Sequence, residues 1–206
     1  MNAGKRALLR VLLVLGSLSF AGGCGGDGPR FHSVDISGAN YGRDFELLDP
    51  DGKVRRLADF RGKAVMVFFG FIQCPDVCPT TLGRAAEMRR LLGVDGERLQ
   101  IIFITLDPGR DSPEILRAYT AAFDADILGL YTTPEKTLET ARAFRIYYRK
   151  VPTGSSYTID HSAISYLYDP KGRLRLAVSH QSPSAAVAAD VAALLQPSST
   201  TDKETR

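Results

Sequence analysis

Apolar residues in this chain gather either in unbroken runs or at helical spacing, and the two kinds alternate. "KAVMVFFGF" (63–71) is continuous and rich in β-formers, the pattern of a strand covered on both faces. "TTLGRAAEMRRLLG" (80–93) follows, with Leu82, Ala85, Ala86, Leu91 and Leu92 near helical spacing and Gly93 as a stop. "LQIIFITL" (99–106) predicts a second buried strand; after it Ser112 fits a helix cap and Pro113 a first helical position. "ILGLYTT" and "PEKTLETARAF" repeat the strand-then-helix order. "SAISYLYD" and "RLRLAVS" read as a hairpin joined through "PKG", and "SPSAAVAADVAALL" closes as a helix. Ahead of these, "DFELL" and "KVRRL" flank "DPDG", a turn sequence with proline and glycine where a turn needs them, and predict an N-terminal hairpin.

Strands alternating with helices and ending in a hairpin imply a mixed sheet with helices on its faces. The order matches an α/β domain of thioredoxin-like type, over residues 41–196, with an N-terminal hairpin extension and an inserted strand and helix. A chain of 206 residues is of one-domain size, and 44% hydrophobic with 24% charged residues excludes fibrous and disordered classes. The net charge of +3 is carried by Lys5, Arg6 and Arg10, so the chain from Cys24 onward is formally neutral. No electrostatic footprint for nucleic acid remains.

Residues 1–23, "MNAGKRALLRVLLVLGSLSFAGG", combine a basic start, an apolar run too short to span a bilayer comfortably, and small residues at the end. That is the build of an export signal. Cys24 directly after it resembles the lipidated cysteine of a bacterial lipoprotein box, with Ala21 where leucine is usual; an uncleaved anchor and simple secretion are the competing readings. All three place the domain in the cell envelope or beyond it, with a lipid-anchored protein at the outer, periplasmic face of the cytoplasmic membrane as the favoured form. Residues 24–40 are glycine-rich and read as a tether, and residues 197–206 as a disordered polar tail.

With Cys24 assigned to the tether, Cys74 and Cys78 in "CPDVCP" are each other's only intramolecular partners in an oxidising compartment. Proline disfavours the helical region for the residue before it, so Pro79 predicts Cys78 at a helix cap and Cys74 in the loop leaving the strand. At such a strand-to-helix edge, free amides and the helix dipole favour a thiolate, while Asp76 opposes it by like charge. The spacing allows a disulfide, but one closing so small a loop restrains the unfolded chain little. A catalytic thiol pair and a seat for a soft ion such as Cu(I) or zinc stay open. Of the three histidines, His32 lies in the tether and His180 in a surface loop. His161, at the start of a predicted strand, divides evenly between a structural side chain and a third ligand.

"GFIQCPDVCPTTL", "ITLDPGRDSPEILRAY" and "DHSAISYLYDPKGRL" together resemble, in order and spacing, the motifs of the Sco/SenC (PrrC) family of copper-binding, thioredoxin-like proteins. The resemblance covers about residues 40 to 195. It implies a membrane-tethered domain that helps assemble the dinuclear copper site of cytochrome c oxidase, holding one copper per chain, as Cu(I) or Cu(II). Cys74 and Cys78 would be its sulfur ligands and His161 its nitrogen ligand. Asp107, in "LDPGRD", would sit near the metal in a supporting or partner-docking role, beside the plainer reading of a turn aspartate. Asp160 adjoins His161 but points to the opposite face of a strand and need not orient the imidazole. Ile72 and Gln73 depart from residues usual in the family and leave the ligands intact. The partners implied are the oxidase copper-site subunit and a periplasmic copper donor or thiol reductant. An alternative activity is thiol-disulfide exchange, with Cys74 and Cys78 reducing the target cysteines of that site. A peroxidase role has no support beyond the shared fold.

Overall fold

The computed structural model describes residues 30–196. The export signal, Cys24 and the C-terminal tail expected from the sequence lie outside the described residues. Among those described, no helix is long and apolar enough to cross a membrane.

The two unbroken apolar runs become β4 (Ala64–Gly70) and β5 (Leu99–Thr105), paired in parallel from Ala64 beside Leu99 to Gly70 beside Thr105. Every residue of β4 is buried, as a strand covered on both faces requires. β6 (Leu128–Leu130) continues the parallel set on one side. On the other, β9 (Ile164–Tyr168) runs antiparallel to β4, and β10 (Leu174–Ser179) antiparallel to β9. With β1 (Val34–Asp35) at the edge, the order is β1-β10-β9-β4-β5-β6, a mixed sheet. The helices are α1 (Val77–Leu91), α2 (Pro113–Ala121), α3 (Pro134–Ala143) and α4 (Ser184–Leu195). α1 and α4 pack on one another, and α2 packs against β6, where Gly129 lets Leu116 approach closely. Ser112 and Thr133 cap α2 and α3 by accepting the Ile115 and Lys136 amides, each with proline in the first turn. The fold is the thioredoxin-like α/β class, and the predicted N-terminal hairpin is present as β2 (Glu46–Leu48) and β3 (Val54–Arg56).

Two features depart from the sequence reading. Residues 31–40, read as tether, lie on the domain: β1 pairs with β10, and the amides of His32 and Ser33 donate to the carboxylate of Asp190 at 2.7 and 2.8 Å. Asp190 lies buried on the closing helix, so two backbone donors supply the partners its charge needs. Composition misled here because a two-residue exposed strand carries no hydrophobic pattern.

The second departure is a hairpin of β7 (Tyr148–Thr153) and β8 (Ser156–His161), turning at Gly154, whose φ of 61° suits glycine. It forms its own two-stranded sheet, separate from the main one. His161 is therefore the last residue of β8, three positions before β9, instead of opening the strand that follows.

Candidate metal centre

β4 delivers the chain to the site and ends on Gly70, where a glycine is needed. A Cβ there would meet the Phe103 ring at 2.7 Å and the sulfur of Cys78 at 2.8 Å. The chain then turns, the Cys74 amide donating to the Phe71 carbonyl at 3.2 Å. α1 starts at Val77 with Asp76 as its cap residue, which places Cys78 inside the first turn and corrects the expectation that it is the cap. The first turn tolerates this because Pro79 there gives up an amide that has no intrahelical acceptor. Asp76 offers no side-chain cap to the backbone. Instead the Cys78 amide donates to Cys74 Sγ at 3.4 Å, so a sulfur occupies the capping acceptor's place.

Cys74 and Cys78 are both free of disulfides, Cys74 half-buried and Cys78 fully buried. The Cys78 thiol donating to it is the main reason Cys74 is lowered to about 3; burial opposes this, and the His161 side chain and the Asp76 and Cys78 amides add to it. Cys78 moves far the other way, because Cys74 beside it holds the charge and because it is buried, with the Phe71 amide acting weakly against. The pair thus holds one negative charge: a Cys74 thiolate and a Cys78 thiol.

His161 comes to this pair from β8. Its Nε2 lies 3.6 Å from Cys78 Sγ, and its Nδ1 lies 3.1 Å from the Ser162 carbonyl. A carbonyl only accepts, so Nδ1 carries a proton, and Nε2 is the ring nitrogen turned toward the sulfurs. Phe71 meets the imidazole edge-on, with centroids 5.9 Å apart, and Phe68 lies 6.2 Å away. Asp160 turns outward to Arg149 at 3.4 Å, in keeping with its place on the opposite face.

The three donor atoms of Cys74, Cys78 and His161 lie within 4.8 Å of one another. A three-coordinate centre with bonds of about 2.2 Å spaces its donors by about 4 Å, so the cluster closes on an ion with little movement. Two soft sulfurs and one imidazole suit copper better than a hard cation. Asp107 stands outside this cluster. It is buried, and its carboxylate accepts from the Tyr157 hydroxyl at 2.8 Å and pairs with Arg110, with Lys150 at 3.7 Å. His32 is exposed, and His180 offers its carbonyl to Arg84. Sequence reasoning missed Gly70, Arg110, Asp111 and Tyr157, although the turn residues in "VPTGSSYTI" signalled the hairpin that brings Tyr157 in.

The chain is 38% identical over 133 residues to the SCO2 homolog, mitochondrial, of Homo sapiens, covering 63% of this chain and 50% of that protein. It is 37% identical over 138 residues to SCO1, mitochondrial, of Saccharomyces cerevisiae, covering 65% of this chain and 47% of that protein. The chain thus spans about half the length of these curated relatives. Among solved structures, copper-bound ScoI of Bradyrhizobium japonicum superposes with a TM-score of 0.68 at 37% identity, over 75% of this chain and 98% of that one. Apo Sco1 of Thermus thermophilus gives 0.71 at 38% identity, over 80% and 97%. The SCO1/SenC family model matches residues 34–196, which takes in the sheet, both cysteines and His161, and the chain belongs to that family.

Proposed function

We propose that this chain carries one copper ion per molecule on Cys74, Cys78 and His161 and passes it to the dinuclear copper site of cytochrome c oxidase. The observation that carries the reading is the convergence of two sulfurs and the imidazole Nε2, with no fourth Cys, His, Asp or Glu joining the group among the described residues. An incompletely saturated site can exchange ligands with an acceptor, whereas a closed tetrahedral one holds its ion. ScoI of Bradyrhizobium japonicum, 37% identical, has been solved with copper bound. Work at the outer face of the cytoplasmic membrane, with Cys24 as the lipidated anchor, fits the export-signal pattern of residues 1–23.

The test is anaerobic titration of the reduced protein with Cu(I) and Cu(II). One ion per chain is expected, with a thiolate charge-transfer band for Cu(II) that His161→Ala abolishes or shifts. Unchanged binding of both ions in His161→Ala would overturn the three-ligand site, and unchanged binding in Cys74→Ser the copper reading as a whole.

A second reading, thiol-disulfide exchange, is favoured by the half-exposed Cys74 thiolate beside a protonated Cys78. Cys74 would attack a target disulfide and release one target thiolate. Cys78 would then attack the Cys74 sulfur, releasing the second and leaving a Cys74–Cys78 disulfide. Two electrons pass to the target, and a thiol reductant restores the pair. Against it stands the same low value at Cys74, since a stabilised thiolate favours the reduced form and weakens the pair as a reductant.

A further inference from the structure

The two halves of the metal centre are borne by elements that share no strand pairing. Cys74 and Cys78 lie beyond the end of β4 in the main sheet, while His161 rides on the separate β7–β8 hairpin. A lone two-stranded hairpin is marginal by itself, so its pose depends on side-chain contacts, among them buried Ile159 and the half-buried Tyr148 and Tyr157 packed on the core. We propose that the loop Asp107–Asp111, which follows β5, is a two-sided clasp that sets His161 against the cysteines, with Arg110, Tyr157 and Asp111 as its positioning residues. The proposal rests on Cys74, Cys78 and His161 being the copper ligands.

One side of the clasp grips the hairpin. Arg110 Nη1 donates to the Tyr157 carbonyl at 2.8 Å, and the guanidinium lies 3.7 Å from the centre of the Tyr157 ring. The Tyr157 hydroxyl donates to Asp107 Oδ1 at 2.8 Å, and Arg110 Nε pairs with the other oxygen. Backbone, ring and hydroxyl of Tyr157 are therefore all held, on the strand that ends in His161. The other side grips the cysteine loop. The carboxylate of buried Asp111 accepts the Ile72 amide at 3.1 Å and the Thr105 hydroxyl at 2.6 Å. Ile72 lies two positions before Cys74. Between the sides the loop is rigid: the Arg110 and Asp111 amides donate to the Asp107 carbonyl at 3.0 and 2.9 Å, and the Asp107 amide to the Thr105 hydroxyl at 2.9 Å. Asp107, buried and fully engaged, belongs to this clasp and does not present its carboxylate to a docking partner.

Amide hydrogen exchange on the reduced, metal-free protein tests the clasp without copper. Tyr157→Phe removes only the hydroxyl and is expected to speed exchange of the β7–β8 amides about tenfold while β4 and β5 stay unchanged. Asp111→Ala is expected to speed the Ile72 amide in the same way. Arg110→Ala should exceed Tyr157→Phe, and Arg110→Lys should restore little because the stacked, forked contact is lost. With Cu(II) added, the spectrum of Tyr157→Phe is expected to move toward that of His161→Ala. Unchanged hairpin exchange in Tyr157→Phe, or acceleration spread evenly over the domain, would overturn the clasp. Should the wild type bind no copper, the copper reading fails, and the exchange data still decide whether the hairpin is held as described.

Discussion

Cys78 Sγ and His161 Nε2 lie 3.6 Å apart although 83 positions separate them in the chain. Their closeness joins the first turn of α1 to the end of β8. Because Cys78 is the protonated member of the thiol pair, this contact has direct consequences for how the site takes up an ion.

Copper uptake is expected to release about one proton per ion at pH 8. Two ordinary cysteines, near 8.5, would release more, but Cys74 is already a thiolate, held at about 3, and only Cys78 has a proton to lose. The Cys78 shift is upward, so protonation competes with the ion throughout the neutral range. Affinity should therefore rise about tenfold per pH unit around pH 8. Proton release in weak buffer, read with an indicator dye, measures this. Release of two protons would contradict the shared single charge.

The midpoint potential of the Cys74–Cys78 couple is expected to lie above the value of about −270 mV typical of thioredoxin. Stabilising the Cys74 thiolate stabilises the reduced pair, as in the strongly oxidising members of the thiol-exchange proteins. Equilibration against glutathione mixtures gives the number. A potential below about −300 mV would favour the exchange reading over copper carriage.

Gly70→Ala should cost about 1–3 kcal/mol and disturb the centre at the same time. The added methyl would stand 2.7 Å from the Phe103 ring and 2.8 Å from Cys78 Sγ, so either the strand end or the thiol must give way. Denaturant unfolding together with a copper titration checks both effects. Loss of stability with an unaltered copper spectrum would show that the ring moves and the thiol does not.

Asp190→Ala should release residues 31–37 from the domain without harming the copper site. Removing the carboxylate leaves the His32 and Ser33 amides without their acceptor, a loss of about 1–3 kcal/mol felt mainly in β1. Faster exchange of the Ile36 amide, which donates to the Arg175 carbonyl at 2.8 Å, is the local readout. Global destabilisation with β1 still protected would refute the assignment.

The main sheet was legible in the sequence because β4 and β5 are buried on both faces and so appear as unbroken apolar runs. β7 was not: its half-buried and exposed positions follow no period of two, and Pro152 argues against a strand. Cys74 and Cys78 announced themselves by type and spacing. His161 needed the family resemblance, since nothing local distinguishes a ligand imidazole from a structural one. Arg110 and Tyr157 were illegible because their roles arise from a contact 47 positions long between two segments whose proximity only the fold creates. The proline rule put Cys78 two steps too early, at the cap, because it weighs the backbone of the residue before proline and not the sulfur that satisfies the helix end.

Burial also gives the site a direction. Cys78 sulfur sits beneath the first turn of α1 and over Gly70, with 0% of the residue exposed, while Cys74 and His161 reach the surface. On the proposed reading, an incoming ligand would approach the ion from their side. Transfer to an acceptor would then begin by displacing Cys74 or His161, leaving Cys78 as the last bond to break.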